Sequence, residues 1–261
     1  MQEELKKIIK KSGNNLHIAV VELLEKMQWD VDLSSYYYDD TANKPREIDI
    51  IAKKNIPIIN PTTQAQCNEF NLFLFIECKH FTKEVAFRSR LNREQEAKEA
   101  ITIEANEAVD GWSKEVILER EGLFRNHHYL KERFIGKLYD TENEKPVFNA
   151  ITQPIKSLIF FKESRCERGV YYPLVVYSGT DGIYSIKRQD SDLEKIKPKK
   201  RLIFGLNYSY KPPISGVLKT NQFYIDFVHQ DELGSFIEDT ILEEIKELKE
   251  YLFFRKRTHN V

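Results

Sequence analysis

Three charged residues stand at places where an apolar strand pattern would put none. In Phe75-Ile76-Glu77-Cys78-Lys79, alternation along an extended strand sends Glu77 and Lys79 to one face, while Ile76 and Cys78 point into the opposite layer. In Arg46-Glu47-Ile48-Asp49-Ile50-Ile51-Ala52, Asp49 emerges from a second apolar run in the same fashion. A carboxylate and an ammonium at the end of a buried strand are costly unless they pair or bind an ion. Two carboxylates suffice to hold Mg2+, which keeps several waters and takes oxygen ligands, and Mn2+ can substitute for it. Such an ion neutralises a phosphodiester and lowers the pKa of the attacking water. A lysine beside it can orient or deprotonate that water, or stabilise charge in the transition state. The competing interpretation of these residues is a surface ion pair, Glu77 with Lys79, and Asp49 in a turn.

The elements that must position this trio follow from periodicity. Residues 14–28 predict a helix with Leu16, Val20, Leu23, Leu24 and Met27 on one stripe. Strands follow at 29–33 and 47–52, joined by a polar turn at 39–44. A loop rich in Pro, Thr, Gln and Asn is expected over 55–68, before the most hydrophobic strand, 71–78. Residues 93–121 contain strong helix formers, and 129–139 are expected to continue the helical region. A further helix is expected at 147–161, with Pro154 marking a kink or its first turn. Residues 172–177 and 182–186 flank Ser-Gly-Thr-Asp-Gly and predict a hairpin. A strand at 223–228 and an amphipathic helix at 231–254 close the chain. This order implies one α/β domain over residues 1–261, with a mixed sheet covered on both faces.

Together these segments resemble the core of the PD-(D/E)XK, or restriction-endonuclease-like, superfamily, most clearly over residues 13–80. Ile48-Asp49 stands in place of the nominal Pro-Asp, and Glu77-Cys78-Lys79 fits the (D/E)xK triplet. The resemblance implies a central mixed β-sheet flanked by helices, with residues about 90–145 as a helical insertion. It implies a Mg2+-dependent endodeoxyribonuclease with Asp49, Glu77 and the main-chain carbonyl of Cys78 as metal ligands and Lys79 as the catalytic base or charge stabiliser. It also implies that Gln153 is presented toward the site by its helix. His17 falls where related enzymes carry a glutamate. There it can ligate metal, contact phosphate, support Asp49 or simply pack. Glu47 shares the strand face of Asp49, and Glu22 lies opposite the apolar stripe of its helix.

The formal net charge of −1 provides no global attraction to phosphate, so DNA binding must rely on local basic surface. One patch is Lys187, Arg188, Lys195, Lys197, Lys199, Lys200 and Arg201; another is Lys83, Arg88, Arg90 and Arg93. Residues 94–121 are acidic by contrast. Tyr36-Tyr37-Tyr38 can stack bases or pack along a strand edge. His127-His128 has no ligand spacing around it and reads as a loop or helix surface. No stretch reaches the roughly 20 apolar residues of a membrane helix, and MQEELKKIIKK lacks a signal core, so a cytoplasmic protein is expected. Cys67, Cys78 and Cys166 show no CxxC spacing, which argues against a disulfide framework or a structural zinc site built on cysteine. Stand-alone nucleases of this kind occur in restriction and antiviral defence beside a helicase or ATPase; no motor motif lies in this chain, and self-association stays open. The alternative function is a non-catalytic nucleic-acid-binding or assembly subunit that keeps the fold.

Overall fold

A computed structural model describes residues 14–39, 42–60, 62–106, 126–137, 144–165, 167, 169–187, 197–211 and 216–258. The elements in chain order are α1 (Asn14–Lys26), β1 (Asp30–Asp39), β2 (Lys44–Ile59), β3 (Gln66–His80), β4 (Val85–Leu91), α2 (Glu94–Glu104) and β5 (Ala105–Asn106). They continue with α3 (His128–Lys131), β6 (Phe134–Lys137), α4 (Glu144–Arg165), β7 (Gly169–Ser178), β8 (Ile183–Lys187), β9 (Arg201–Tyr210) and β10 (Lys219–His229). After a 3-10 turn come α5 (Leu233–Phe236), a π-helical turn (Ile237–Ile241) and α6 (Leu242–Thr258). Nine strands form one mixed sheet in the order β1-β2-β3-β7-β10-β9-β6-β4-β8, with β5 added beside β7. The protein is thus α/β, with a large mixed sheet flanked by helices. No helix among the described residues is long and apolar enough to cross a membrane.

The alternation of β3 sorts the core. Leu72, Leu74, Ile76 and Cys78 face one layer with Leu16, Val20 and Leu24 of α1 and the helices after β10. Phe73 and Phe75 face the other layer, against Leu158 and Phe161 of α4 and Tyr37 of β1. The sheet also carries Phe87, Phe204 and Phe227 against Val147, Ile151 and Ile155 of the same helix. Helix α4 runs continuously through Pro154, which is buried in its interior rather than at its first turn.

Four sequence expectations change. The expected loop at 55–68 is mostly sheet: β2 and β3 pair antiparallel from Ile50–Ile76 to Ile59–Gln66, leaving only a tight connection around Asn60 to Ala65. Burial of Ile56, Ile58 and Phe70 drives this, and Pro57 is tolerated because β1 pairs with β2 only as far as Lys53. The expected hairpin at 172–186 does not form. Both edges of β7 are occupied, by β3 and β10, so β8 crosses away and pairs with β4 instead. The turn uses Gly179 at φ +91°, where a Cβ would lie 2.2 Å from the Phe81 carbonyl oxygen. The expected continuous helical region at 129–139 is one helical turn followed by strand β6, whose Ile135 is fully buried and whose Gly136 lets Phe87 and Leu202 close in. The insertion at 90–145 is therefore not purely helical: it contributes α2, β6 and part of β4. Residues 107–121 of the acidic segment lie outside the described residues. Finally, the closing helix is interrupted by a π turn. Its apolar residues recur every fourth position from Leu233 to Ile245, a spacing that drifts about 40° per step on an α-helix, and the wider turn offsets that drift.

Candidate active site

Strands β2 and β3 stop pairing at Ile50–Ile76, yet β3 continues to His80 beside β7, and β2 begins six residues earlier beside β1. The site occupies this fork. Across it, the Cys78 N–H donates to Asp49 Oδ2 at 2.7 Å, so a carboxylate takes the place a strand partner would have had. In a strand the N–H and C=O of one residue leave by the same edge, so the Cys78 carbonyl also faces the fork. The β1–β2 pairing skips the position opposite Asp49, where Ser34 adopts φ +54°.

His17, one turn into α1, reaches the same carboxylate oxygen with Nε2 at 3.3 Å. That hydrogen bond, outweighing burial, raises the imidazole pKa. His17 therefore supports Asp49. Glu77 is 1% exposed and pairs through Oε1 with Lys79 Nζ at 2.6 Å, while its buried Oε2 has no hydrogen-bond partner among the described residues. Burial first, and then the negative charge of Asp49, push its pKa to about 8 against the opposing pull of Lys79 and His17. Lys79 itself is 30% exposed, so the ammonium spans the boundary between core and solvent. Asp49, Glu77, Lys79 and His17 thus share one neighbourhood.

Gln153 joins indirectly. Its side-chain amide donates to the Glu47 carbonyl at 3.1 Å, which ties α4 to the strand two residues before Asp49. The carboxylate of Glu47 is exposed, as is Glu22 on α1. Tyr37 is buried against α4, and burial together with Asp39 and Glu77 raises its pKa; Tyr36 and Tyr38 are exposed on the edge strand. Its buried neighbour Asp39 pairs with Lys156 at 2.7 Å and Arg46 at 3.5 Å, a closure of β1 onto α4 that periodicity did not reveal.

Two donor sets compete for a cation here. His17, Asp49 and the Cys78 thiol offer ligand atoms within 4.8 Å of one another. Burial raises the thiol pKa well above its ordinary value, and its sulfur is a soft donor of the kind Mg2+ does not take. The expected set of Asp49, Glu77 and the Cys78 carbonyl offers oxygen atoms alone, the ligand type a hard divalent ion takes, and the buried Glu77 Oε2 has no hydrogen-bond partner among the described residues.

Of the basic patches, Lys197, Lys199 and Lys200 are exposed at the same end of the sheet as Lys79. The Tyr177 hydroxyl donates to the Lys199 carbonyl, and Tyr177 is the β7 partner of Lys79. Lys200 and Arg201 pair with Asp231 and Glu232. Arg188 and Lys195 lie outside the described residues. In the other patch Arg90 and Arg93 pair with Glu96. His127 and His128 are not at the surface, contrary to expectation. His127 is buried and His128 half-buried, in a polar network with Asp226 and Glu244, residues about a hundred positions away in the chain that no local spacing could have revealed.

Comparison with models of known protein families, with curated proteins and with solved structures finds no match to this chain.

Proposed function

We propose that the chain is a metal-dependent DNA endonuclease whose core is restriction-endonuclease-like. The observation that carries this reading is Glu77: a carboxylate buried at the end of a central strand, with one oxygen on Lys79 and the other without a hydrogen-bond partner among the described residues. A structural ion pair leaves no reason for that second oxygen. Asp49, Glu77 and the Cys78 carbonyl would hold Mg2+, which when bound neutralises the phosphate and acidifies a water. The remaining work falls to the protein. His17 and the Cys78 N–H fix Asp49, and Gln153 anchors the β2 backbone that carries it. Lys79, held by Glu77 and reaching solvent, orients the attacking water or takes its proton and stabilises developing charge. Lys197, Lys199 and Lys200 supply cations for the DNA backbone at the same end of the sheet. A partner helicase or ATPase would supply the motor that this chain lacks.

The test is plasmid cleavage by purified protein with Mg2+, with Mn2+ and with a chelator. Cleavage that requires the ion and is lost in Asp49→Asn and in Glu77→Gln supports the reading. Sustained DNA binding with no cleavage under any ion would instead favour a non-catalytic binding subunit.

A further inference from the structure

A second feature lies on the α4 side of the sheet, the side to which Phe73, Phe75, Glu77 and Lys79 of β3 alternate. Here the ends of β1 and β9 meet over α4 and leave an open recess. Its walls are the rings of Tyr38, Phe160, Tyr208 and Tyr210 and the side chains of Lys156 and Lys211. β1 and β9 stand five places apart in the sheet, so the sheet wraps around α4 to bring them together. The space is about 310 Å3, part of it open to solvent, which suits a planar ring laid against a wall rather than an enclosed ligand.

Rings that only packed would fill this space. Instead Tyr38 is 42% exposed, and Phe160, Tyr208 and Tyr210 are half-buried. Tyr208 and Tyr210 alternate onto one face of β9 with ring planes 13° apart and centroids 6.5 Å apart, a pair of near-parallel platforms that both meet the Phe223 ring at a steep angle. Two of the rings are tied down at their hydroxyls. That of Tyr38 donates to Asn43 Oδ1 at 2.7 Å, and that of Tyr210 accepts from Asn221 Nδ2 at 2.9 Å, so the ring faces remain for a ligand. Asp39 is buried between Lys156 at 2.7 Å and Arg46 at 3.5 Å, Lys211 is exposed, and the charge of Glu163 acts on Tyr210. Three cations thus stand against two carboxylates.

We propose that this recess stacks an unpaired base of single-stranded DNA, with Lys211 toward an adjoining phosphate. The proposal rests on the nuclease reading of the fork and names the form of its substrate. An aromatic side chain reaches the face of a base only in a single strand or an opened duplex, whereas closed duplex DNA offers groove edges and phosphates. With a net charge of −1 the chain has no general pull on phosphate, and stacking supplies affinity independent of it. The distance fits as well: Pro45, the β2 partner of Tyr38, lies four residues before Asp49, about 13 Å along the strand or roughly four base steps. Lys156 lies three residues past Gln153, which binds the Glu47 carbonyl, so one helix fixes both the recess and the strand of Asp49.

The test is fluorescence anisotropy with the full chain in chelator, where no metal-dependent cleavage interferes. The probes are a labelled single-stranded DNA oligonucleotide, its duplex and an abasic strand with the same number of phosphates. The single strand should bind at least about 10-fold tighter than either. Tyr38→Ala and Tyr208→Ala should each weaken single-strand binding about 5- to 150-fold with an unchanged salt slope, because a stacked base releases no counterions. Tyr38→Phe and Tyr208→Phe, which keep the ring, should bind like the parent. Equal binding of the single strand and the abasic strand overturns the proposal. So does parental affinity in Tyr38→Ala, whose exposed side chain can be cut back without loss of the fold. A chain that shows these preferences but cuts nothing with any ion keeps the recess and loses the fork. One that cuts duplex DNA and binds it as tightly as the single strand keeps the fork and loses the recess.

Discussion

Replacing Glu77 by glutamine separates a carboxylate kept for an ion from one kept for packing. The folded pKa of about 8 lies 3.5 above the ordinary 4.5. At ~1.36 kcal/mol per pH unit this sets a ceiling of roughly 5 kcal/mol for the cost of holding Glu77 ionised without a metal. Between pH 4.5 and about 8 the folded chain binds a proton that the unfolded chain has released, so this group's contribution to stability falls as pH rises through that window. Glutamine mimics the protonated carboxyl and has no such slope. It also loses the partner of Lys79, an ammonium 30% exposed, for which about 1 kcal/mol is a fair discount. Glu77→Gln should therefore match the parent near pH 4 and exceed it by a few kcal/mol at pH 8, or on the order of 5–10 °C in melting temperature for a chain of this size. Added Mg2+ at about 100 times its dissociation constant should return roughly 2.7 kcal/mol to the parent and nothing to the variant. The assay is thermal and urea unfolding of both proteins from pH 4 to 9, with and without Mg2+, read as the difference between them. Parallel pH curves, or equal stabilisation of both by Mg2+, would refute the reasoning.

Lys79→Ala should lower single-turnover cleavage by at least about 100-fold while DNA affinity stays within about threefold, since the amine acts on the transition state; equal losses in both would make it a binding residue. Neutralising Lys197, Lys199 and Lys200 should weaken DNA binding at low salt and flatten its salt dependence by up to about 0.9 for each phosphate left without its lysine, measured by fluorescence anisotropy. Unchanged binding would move the DNA path elsewhere. Gly179→Ala should destabilise the protein by at least about 1–3 kcal/mol, because the new Cβ meets the Phe81 carbonyl at a backbone angle that favours glycine. Circular dichroism melts check this, and a neutral result would mean that the turn is redrawn.

What the sequence determined by itself is the set of features with a short period. The stripe of α1, the apolar run of β3 and the appearance of Glu77 and Lys79 on one face follow from alternation within a few residues. Asp49 was legible for the same reason, as a charge where the strand pattern called for an apolar side chain. Only the tertiary structure decided how far strands extend and whom they pair with. Ile56 and Phe70 become strand residues because β2 and β3 bury them together, and β8 leaves β7 because both edges of that strand are taken. The fork that lets Asp49 accept the Cys78 N–H is a property of two strands parting, which neither strand encodes alone. His128 is the clearest case. Its two partners lie 98 and 116 positions away, and a histidine pair without nearby ligands carries no periodic signal. Packing against Asp226 of β10 and Glu244 of α6 turns this half-buried histidine from an apparent surface residue into the centre of a charged cluster, because in a low dielectric each carboxylate must find a proton, a donor or a cation.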